Sequence, residues 1–296
     1  MDPYILVIDD ININLEIMKM ALRSLGVTAG LADSGEKGLE ILDDRDECIL
    51  VYTDLHMPDM DGKGVLSEVK KRNKDIPVIC ITAADNKDEL IKEGFDGVLV
   101  KPVDINKLSE QIKKFTGIDV NNDAEFDNNE IRRTFYKHLK DRIEELTTSY
   151  EKGDHDFYHI KVHGLKSVLH HVGEEGLSRE AVELEHYGDL AAAADAHRHF
   201  IKGLEELYTT LKEEFGKDEI PESEKKPISR EEMTEAYKSL MEMAMTYDYD
   251  NLTLILDELE GYHLEGEDAE RIKKIKHHAD LLSWKEIIAE TKKAME

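Results

Sequence analysis

The chain has 296 residues, 40% of them hydrophobic and 35% charged, which is room for about two folded domains and argues against wholesale disorder. Its formal net charge of −27 argues against binding DNA, RNA or an anionic membrane surface, each of which needs a basic face. No apolar run approaches the ~18 residues of a bilayer span. Met1-Asp2-Pro3 lacks the basic and apolar regions of a signal peptide, so a cytoplasmic protein is expected.

Over residues 1–118 two periods alternate. Strand-like apolar runs fall at Tyr4–Ile8, Thr28–Ala32 (the weakest), Ile49–Thr53, Val78–Thr82 and Val98–Val100. Helical patterns lie between them, near Asn12–Leu25, Glu36–Leu42, Gly62–Lys71, Lys87–Lys92 and Ile105–Phe115. Strands apolar throughout, alternating with helices, predict an α/β domain: a doubly wound, five-stranded parallel sheet covered on both faces. Cys48 and Cys80 sit in apolar runs and are expected as buried free thiols.

Residues 117–129 read as a polar linker and a helix start, with Asp127 and Glu130 as a capping pair. Helical period then runs to Phe215, broken at Gly153-Asp154, Gly173 to Gly176 and Gly188. Four helices joined by short turns predict an antiparallel bundle over 124–216. A charged linker, Gly216 to Pro227, precedes a capping box at Ser229-Arg230-Glu231-Glu232. The third domain, 228–296, is again helical, with turns near Tyr247–Asp250, Gly261–Gly266 and Leu282–Ser283. Its apolar residues, among them Met233, Met245, Leu254, Leu281 and Trp284, are expected in a helical core or on an adaptable partner surface. No close sequence repeat with a solenoid period stands out.

In an open parallel sheet, ligands bind beyond the carboxyl ends of the strands. That edge collects Asp9, Asp10, Asp54, Thr82 and Lys101. Gathered carboxylates repel one another unless a cation is present. Mg²⁺ suits them because it takes few protein ligands and keeps its waters. Asp10 and Asp54 are the expected direct ligands, with the backbone carbonyl of His56 and with Asp9 completing the acid cluster. Lys101 and Thr82 can each meet a phosphoryl oxygen. Asp54, between metal and lysine, is then the nucleophile for phosphoryl transfer to a carboxylate.

The pieces Val7-Ile8-Asp9-Asp10, Thr53-Asp54-Leu55-His56-Met57-Pro58-Asp59-Met60-Asp61-Gly62, Ile81-Thr82-Ala83 and Val100-Lys101-Pro102 resemble a bacterial response-regulator receiver domain over residues 1–118. The resemblance implies a flavodoxin-like fold and Asp54 as acceptor of a phosphoryl group from a phosphohistidine. It also implies a Mg²⁺ site served by Asp9 and Asp10, and coupling of phosphorylation to conformation through Thr82 and Lys101. Val98 stands three before the lysine, where that family often has an aromatic switch residue, and this speaks against a standard aromatic rotamer switch.

The segment Asp154 to Val172 reads as one helix whose stripe Tyr158, Val162, Leu165, Leu169 and Val172 faces the bundle core. At ~100° per residue His163 points about 140° from the centre of that stripe, toward solvent. Lys166 and Ser167 are its i+3 and i+4 neighbours. An exposed imidazole beside an ammonium and a small residue can carry a phosphoryl group. The pattern His163-Gly164-Leu165-Lys166-Ser167, Gly173, Leu177-Ser178, Ala181 and Leu184-Glu185 resembles a histidine-containing phosphotransfer domain, with His163 at the phosphorylated position. Gly164 and Glu174 depart from that family's pattern; a helical glycine costs roughly 1 kcal/mol.

The expected function is an intermediate of a multistep phosphorelay. A sensor histidine kinase donates to Asp54, and His163, assisted by Lys166, exchanges phosphoryl groups with Asp54 or with the receiver domain of another response regulator. No Gly-rich ATP pocket is present, so ATP-dependent kinase activity is not expected. One alternative is a phosphorylation-switched docking module that does not use His163. Another is a metal-binding helix built on His155, His159 and His163 with His170-His171.

Overall fold

The computed structural model describes residues 3–58, 60–73, 75–83, 87–121, 128–216, 224–280 and 282–295. Asp59, Asp127 and Leu281, all named above, lie outside the described residues.

Strands β1 (Tyr4–Ile8), β2 (Thr28–Ala32), β3 (Cys48–Asp54), β4 (Val78–Thr82) and β5 (Gly97–Val100) form a parallel sheet in the order β2-β1-β3-β4-β5. The order reverses between β1 and β3, the switch point where such sheets open a crevice. Successive strand residues face opposite sides. Ile5, Val7, Tyr52 and Ile81 pack with α1 (Asn12–Ser24) and α5 (Ile105–Thr116). Leu6, Ile8, Val51 and Cys80 pack with α2 (Gly35–Asp44), α3 (Gly62–Arg72) and α4 (Lys87–Lys92). Both cysteines are free and buried. The alternating apolar runs thus give the expected doubly wound sheet, with boundaries shifted by no more than two residues.

Helices α6 (Asn128–Lys152), α7 (His155–His171), α8 (Glu175–Glu185) and α9 (Ala194–Phe215) close on a core that includes Phe135, Tyr158, Leu165, Leu169 and Leu204. Asp154 caps α7 by accepting from the Phe157 N–H. Gly173 takes the left-handed φ of 87° that ends the helix cleanly. Helix α8 begins at Glu175, so Gly176 lies inside it rather than in the break.

Helices α10 (Arg230–Met245), α11 (Tyr249–Leu259), α12 (Gly266–Asp280) and α13 (Trp284–Met295) complete the chain. The Ser229–Glu232 capping box forms as expected. Three readings need correction. Tyr249 and Asp250 belong to the first turn of α11, because Asp248 caps it by accepting from Asn251. Met245 and Leu254 are 60% and 64% exposed and lie outside the core. The end of the charged linker is ordered: Lys226–Pro227 (β6) pairs in parallel with Tyr262–His263 (β7).

The last four helices also carry a repeat of structure that is not a close repeat of sequence. Tyr247 and Leu282 both take left-handed φ values, 56° and 45°. Each is followed by a cap residue whose N–H bonds back over a turn, Asp248 to Met243 and Ser283 to His278. Each cap is followed by an aromatic helix start, Tyr249 and Trp284, and those rings meet edge to face. The two helix–turn–helix halves therefore repeat at an offset of 35 residues (282 − 247 = 35). Buried Leu240, Ala244 and Leu252 correspond to Ile275, Ala279 and Ile287. Only small apolar and cap positions match, so the letters conceal the repeat.

Helix α1 joins all three parts. Every residue from Ile13 to Leu22 is buried. Leu15, Met18 and Leu22 face the sheet, while Ile13, Ile17 and Met20 enter the core of α6–α9. Lys19 meets α11 through Asp250, at 3.5 Å, and through the ring of Tyr249. Truncating Ile17 to Ala should lower unfolding free energy by about 2–4 kcal/mol in urea melts. Leu254→Ala, on exposed α11 surface, should change it by less than about 0.5 kcal/mol.

Candidate functional site

The sheet edge delivers its acids as the strand ends require. Asp9 follows β1 and is fully enclosed at 1% exposure. Its carboxylate accepts from Lys101 Nζ at 2.8 Å, from Asn14 Nδ2 at 2.9 and 3.1 Å, and from the Ile11 N–H at 3.0 Å. Asp54 ends β3. One oxygen meets Lys101 Nζ at 2.8 Å and the other accepts from the His56 N–H at 3.1 Å. Lys101, cis-linked to Pro102, thus bridges two carboxylates with its side chain only 6% exposed. Thr82 ends β4, buried, and its carbonyl accepts from the Lys101 N–H. Val98 is buried in the sheet, so no aromatic ring occupies that position.

The loop after Asp54 is shaped by a glycine. A Cβ on Gly62 would stand 2.5 Å from the Asp54 carbonyl oxygen, so only glycine lets α3 start this close to the site. Asp61 caps α3 by accepting from Gly64.

Electrostatics follow from burial and crowding. Burial pushes the Asp9 carboxyl up, against the pull of Lys101. Asp10 is pushed up to about 6 by burial and by the neighbouring Asp9 and Asp54. Burial alone would lower the Lys101 ammonium, but Asp9 and Asp54 outweigh it and raise it. Three carboxylates against one ammonium leave surplus negative charge, the chemistry that a hard divalent cation neutralises. Among the described residues no three His, Cys, Asp or Glu side chains converge as a ready-made cage. Mg²⁺ needs no cage, since one or two carboxylates plus waters satisfy it.

The second candidate lies on α7. His163 is 45% exposed at its side chain, and its Nδ1 lies 2.6 Å from Glu185 Oε1 on α8. A carboxylate only accepts, so the imidazole proton sits on Nδ1 and the Nε2 lone pair is left available. Lys166 Nζ lies 3.2 Å from Glu185 Oε2 and 3.4 Å from His163 Nδ1. Burial pushes the Glu185 carboxyl up, but the His163 hydrogen bond and the Lys166 charge outweigh it and hold it below the usual range. Phe157, Ile160 and Val182 are exposed apolar residues on the same two helices.

The histidine row divides among separate partners. His155 Nε2 accepts from the Leu190 N–H, His163 pairs with Glu185, and His171 has Nδ1 2.8 Å from the Ser167 carbonyl and Nε2 3.4 Å from that of Val103. Among the described residues they form no metal-holding group.

Helix α7 is seated on the acid-bearing edge. Gly164 lies against Ile11, where a Cβ would stand 2.9 Å from the isoleucine side chain. Ser167 and His171 line the same small cavity as Asp9 and Lys101. Burial pushes the His171 imidazole down. Gly164, a costly helix residue by propensity, is the one that admits this close approach. Asn14 and the roles of His171 at the acid edge and of Glu185 escaped sequence reasoning, because each acts across elements rather than at a recognisable spacing.

Residues 5–113 match the response regulator receiver domain family. A two-component response regulator of Oryza sativa subsp. japonica, ORR5, is 30% identical over 118 residues, which are 37% of this chain and 88% of that protein. The hybrid signal transduction protein dokA of Dictyostelium discoideum is 36% identical over 121 residues, 40% of this chain but 7% of its own length. A solved receiver domain from Clostridium thermocellum has 32% identity, covers 39% of this chain and 95% of its own, and gives a TM-score of 0.37. The chain spans a quarter or less of several longer relatives. It belongs, through residues 5–113, to the response-regulator receiver family. No helix among the described residues is long and apolar enough to cross a membrane.

The raised Asp10 carboxyl predicts a pH dependence. In the folded chain it holds its proton up to about 6, whereas unfolded it releases it near 3.8. Its ionisation therefore opposes folding: the penalty is full at pH 8, fades as pH falls through 6, and is gone below about 4. In EDTA, Asp10→Asn should be more stable than wild type by about 2–3 kcal/mol at pH 8. Melts at pH 4 should show the two alike.

Proposed function

We propose that the chain is a phosphorelay intermediate in which Asp54 and His163 pass one phosphoryl group. The observation that carries the reading is the seating of α7 on the acid edge, with Ser167 and His171 lining the cavity that reaches Asp9 and Lys101. Residues 124–216 act as a histidine phosphotransfer bundle and 228–296 as a helical appendage. A sensor histidine kinase is the donor, and the receiver domain of another response regulator is the onward partner.

In the first step an Asp54 carboxylate oxygen attacks phosphorus in line. The P–O bond forms as the P–N bond of the donor phosphohistidine breaks, and the donor imidazole leaves with its lone pair. Lys101 and Thr82 meet the phosphoryl oxygens, while Asp9 holds Lys101 in place. Asp10, Asp54 and the His56 carbonyl, backed by Asp9, would hold Mg²⁺, which supplies charge neutralisation at the transferring oxygens. In the second step His163 Nε2 attacks phosphorus and the Asp54 carboxylate leaves. The proton stays on Nδ1, and the Glu185 carboxylate that accepts from it stabilises the positive charge on the imidazole. Lys166 balances the incoming anion. The exposed apolar residues Phe157, Ile160 and Val182 on α7 and α8 support docking of a second receiver.

Incubation with a phosphorylated histidine kinase tests the reading. His163→Gln should leave Asp54 labelling intact and abolish onward transfer; unchanged onward transfer would refute it and favour the docking-module alternative. Glu185→Ala should slow formation of phosphohistidine by about tenfold or more, with Glu185→Gln between it and wild type.

A further inference from the structure

A second polar site lies at the opposite end of the sheet from Asp54. The C-terminal end of α1, the start of β2 and the α10–α11 turn enclose a cleft of about 430 Å³. That is within the ~300–1,000 Å³ of small-molecule sites and far larger than a lone phosphate requires.

Arg45 is the feature that calls for a ligand. It lines the cleft, is 8% exposed, and lies with its guanidinium carbon 3.9 Å from the centroid of the buried Tyr4 ring. Its Nε is buried with no acceptor. Among the described residues no carboxylate pairs with it. A guanidinium carries five donors and keeps its charge, so enclosing one without an anion is costly.

The other charges around the cleft are largely spoken for. Lys19 is paired with Glu16 at 2.7 Å and with Asp250 at 3.5 Å. The Asp248 carboxylate is consumed by its own helix cap, accepting from the Asn251 N–H and Nδ2. Arg23 stands at the rim, 67% exposed at its side chain and only loosely paired with Glu130 at 3.6 Å. Two arginines therefore have donors to spare, in a chain whose net charge is −27. The half-buried Tyr247 and Tyr249 also line the cleft, the Tyr249 ring already faced by Lys19 Nζ at 4.5 Å.

We infer that this cleft binds a small organic phosphate of mononucleotide size, its phosphate on Arg45 and Arg23 and its ring toward the Tyr247 side of the cleft. Arginine forks suit phosphate oxygens, and aromatic faces suit a flat base. Such a ligand touches both the sheet domain and the last four helices, so its binding ties them together. The inference is independent of the phosphorelay reading, since it uses none of the same residues.

Calorimetric titration of the full chain with GMP, AMP, pyrophosphate and orthophosphate tests it. Either mononucleotide should saturate a single site and raise the melting temperature, with orthophosphate at least about tenfold weaker. Arg45→Gln should weaken GMP binding about tenfold or more. Should loss of the buried arginine unfold the chain, exposed Arg23→Gln should keep the fold and still weaken GMP by about threefold. No saturable binding of any probe at about 10 mM, or the same GMP affinity in the folded variants as in wild type, would overturn the site. Equal affinity for orthophosphate and GMP would overturn the nucleotide assignment.

Discussion

One ammonium holds the acid edge together. Lys101 Nζ sits 2.8 Å from both Asp9 and Asp54, shielded from solvent. A buried charge is tolerable only when it is paired and hydrogen-bonded, and here Asn14 and the Ile11 N–H complete the set around Asp9. The same arrangement serves chemistry. Asp9 is spent on fixing Lys101, Asp54 keeps a partly accessible carboxylate, and Asp10 remains the acid whose charge is least compensated. The residual negative charge is the charge that a divalent cation at this edge would neutralise.

The second constraint is mechanical. Helix α1 is buried along ten residues, Ile13 to Leu22, which is unusual for an outer helix of an open sheet. It is outer only within its own domain. In the whole chain it is a shared wall: one face packs on the sheet, one on α6–α9, and Lys19 reaches α11. This explains why the polar residues Asn14, Glu16 and Lys19 are buried and why each has a partner. It also places the imidazole-bearing helix beside the edge where Asp9 and Asp10 emerge.

Much of this was legible in the residues themselves. Strand runs with apolar residues at every position can only be buried on both faces, so the parallel sheet and its carboxyl edge followed directly. Asp54, Thr82 and Lys101 could be placed together in advance because ligands bind beyond the carboxyl ends of the strands in such sheets. Helical phase put His163 on the exposed side of its helix, and Lys166, Ser167 and the resemblance to a phosphotransfer domain singled it out. The roles of Glu185 and His171 were not legible, because they arise from the packing of α7 against α8 and against the β5–α5 connection. Gly164 looked like a defect and is a contact, since its reason is a side chain more than 150 positions away in sequence, Ile11 (164 − 11 = 153). The 35-residue repeat of the last four helices resides in backbone turns at Tyr247 and Leu282, whose letters share nothing.

The central claim is that Asp54 and His163 handle the same phosphoryl group. The direct measurement is peptide mapping at neutral pH, by mass spectrometry, of the full chain labelled by a phosphorylated histidine kinase. Label on both Asp54 and His163 in the wild type, with none on His163 in the Asp54→Asn variant, is the expected result. Label confined to Asp54 under conditions of excess donor, or His163 labelled as fully without Asp54, would contradict the account.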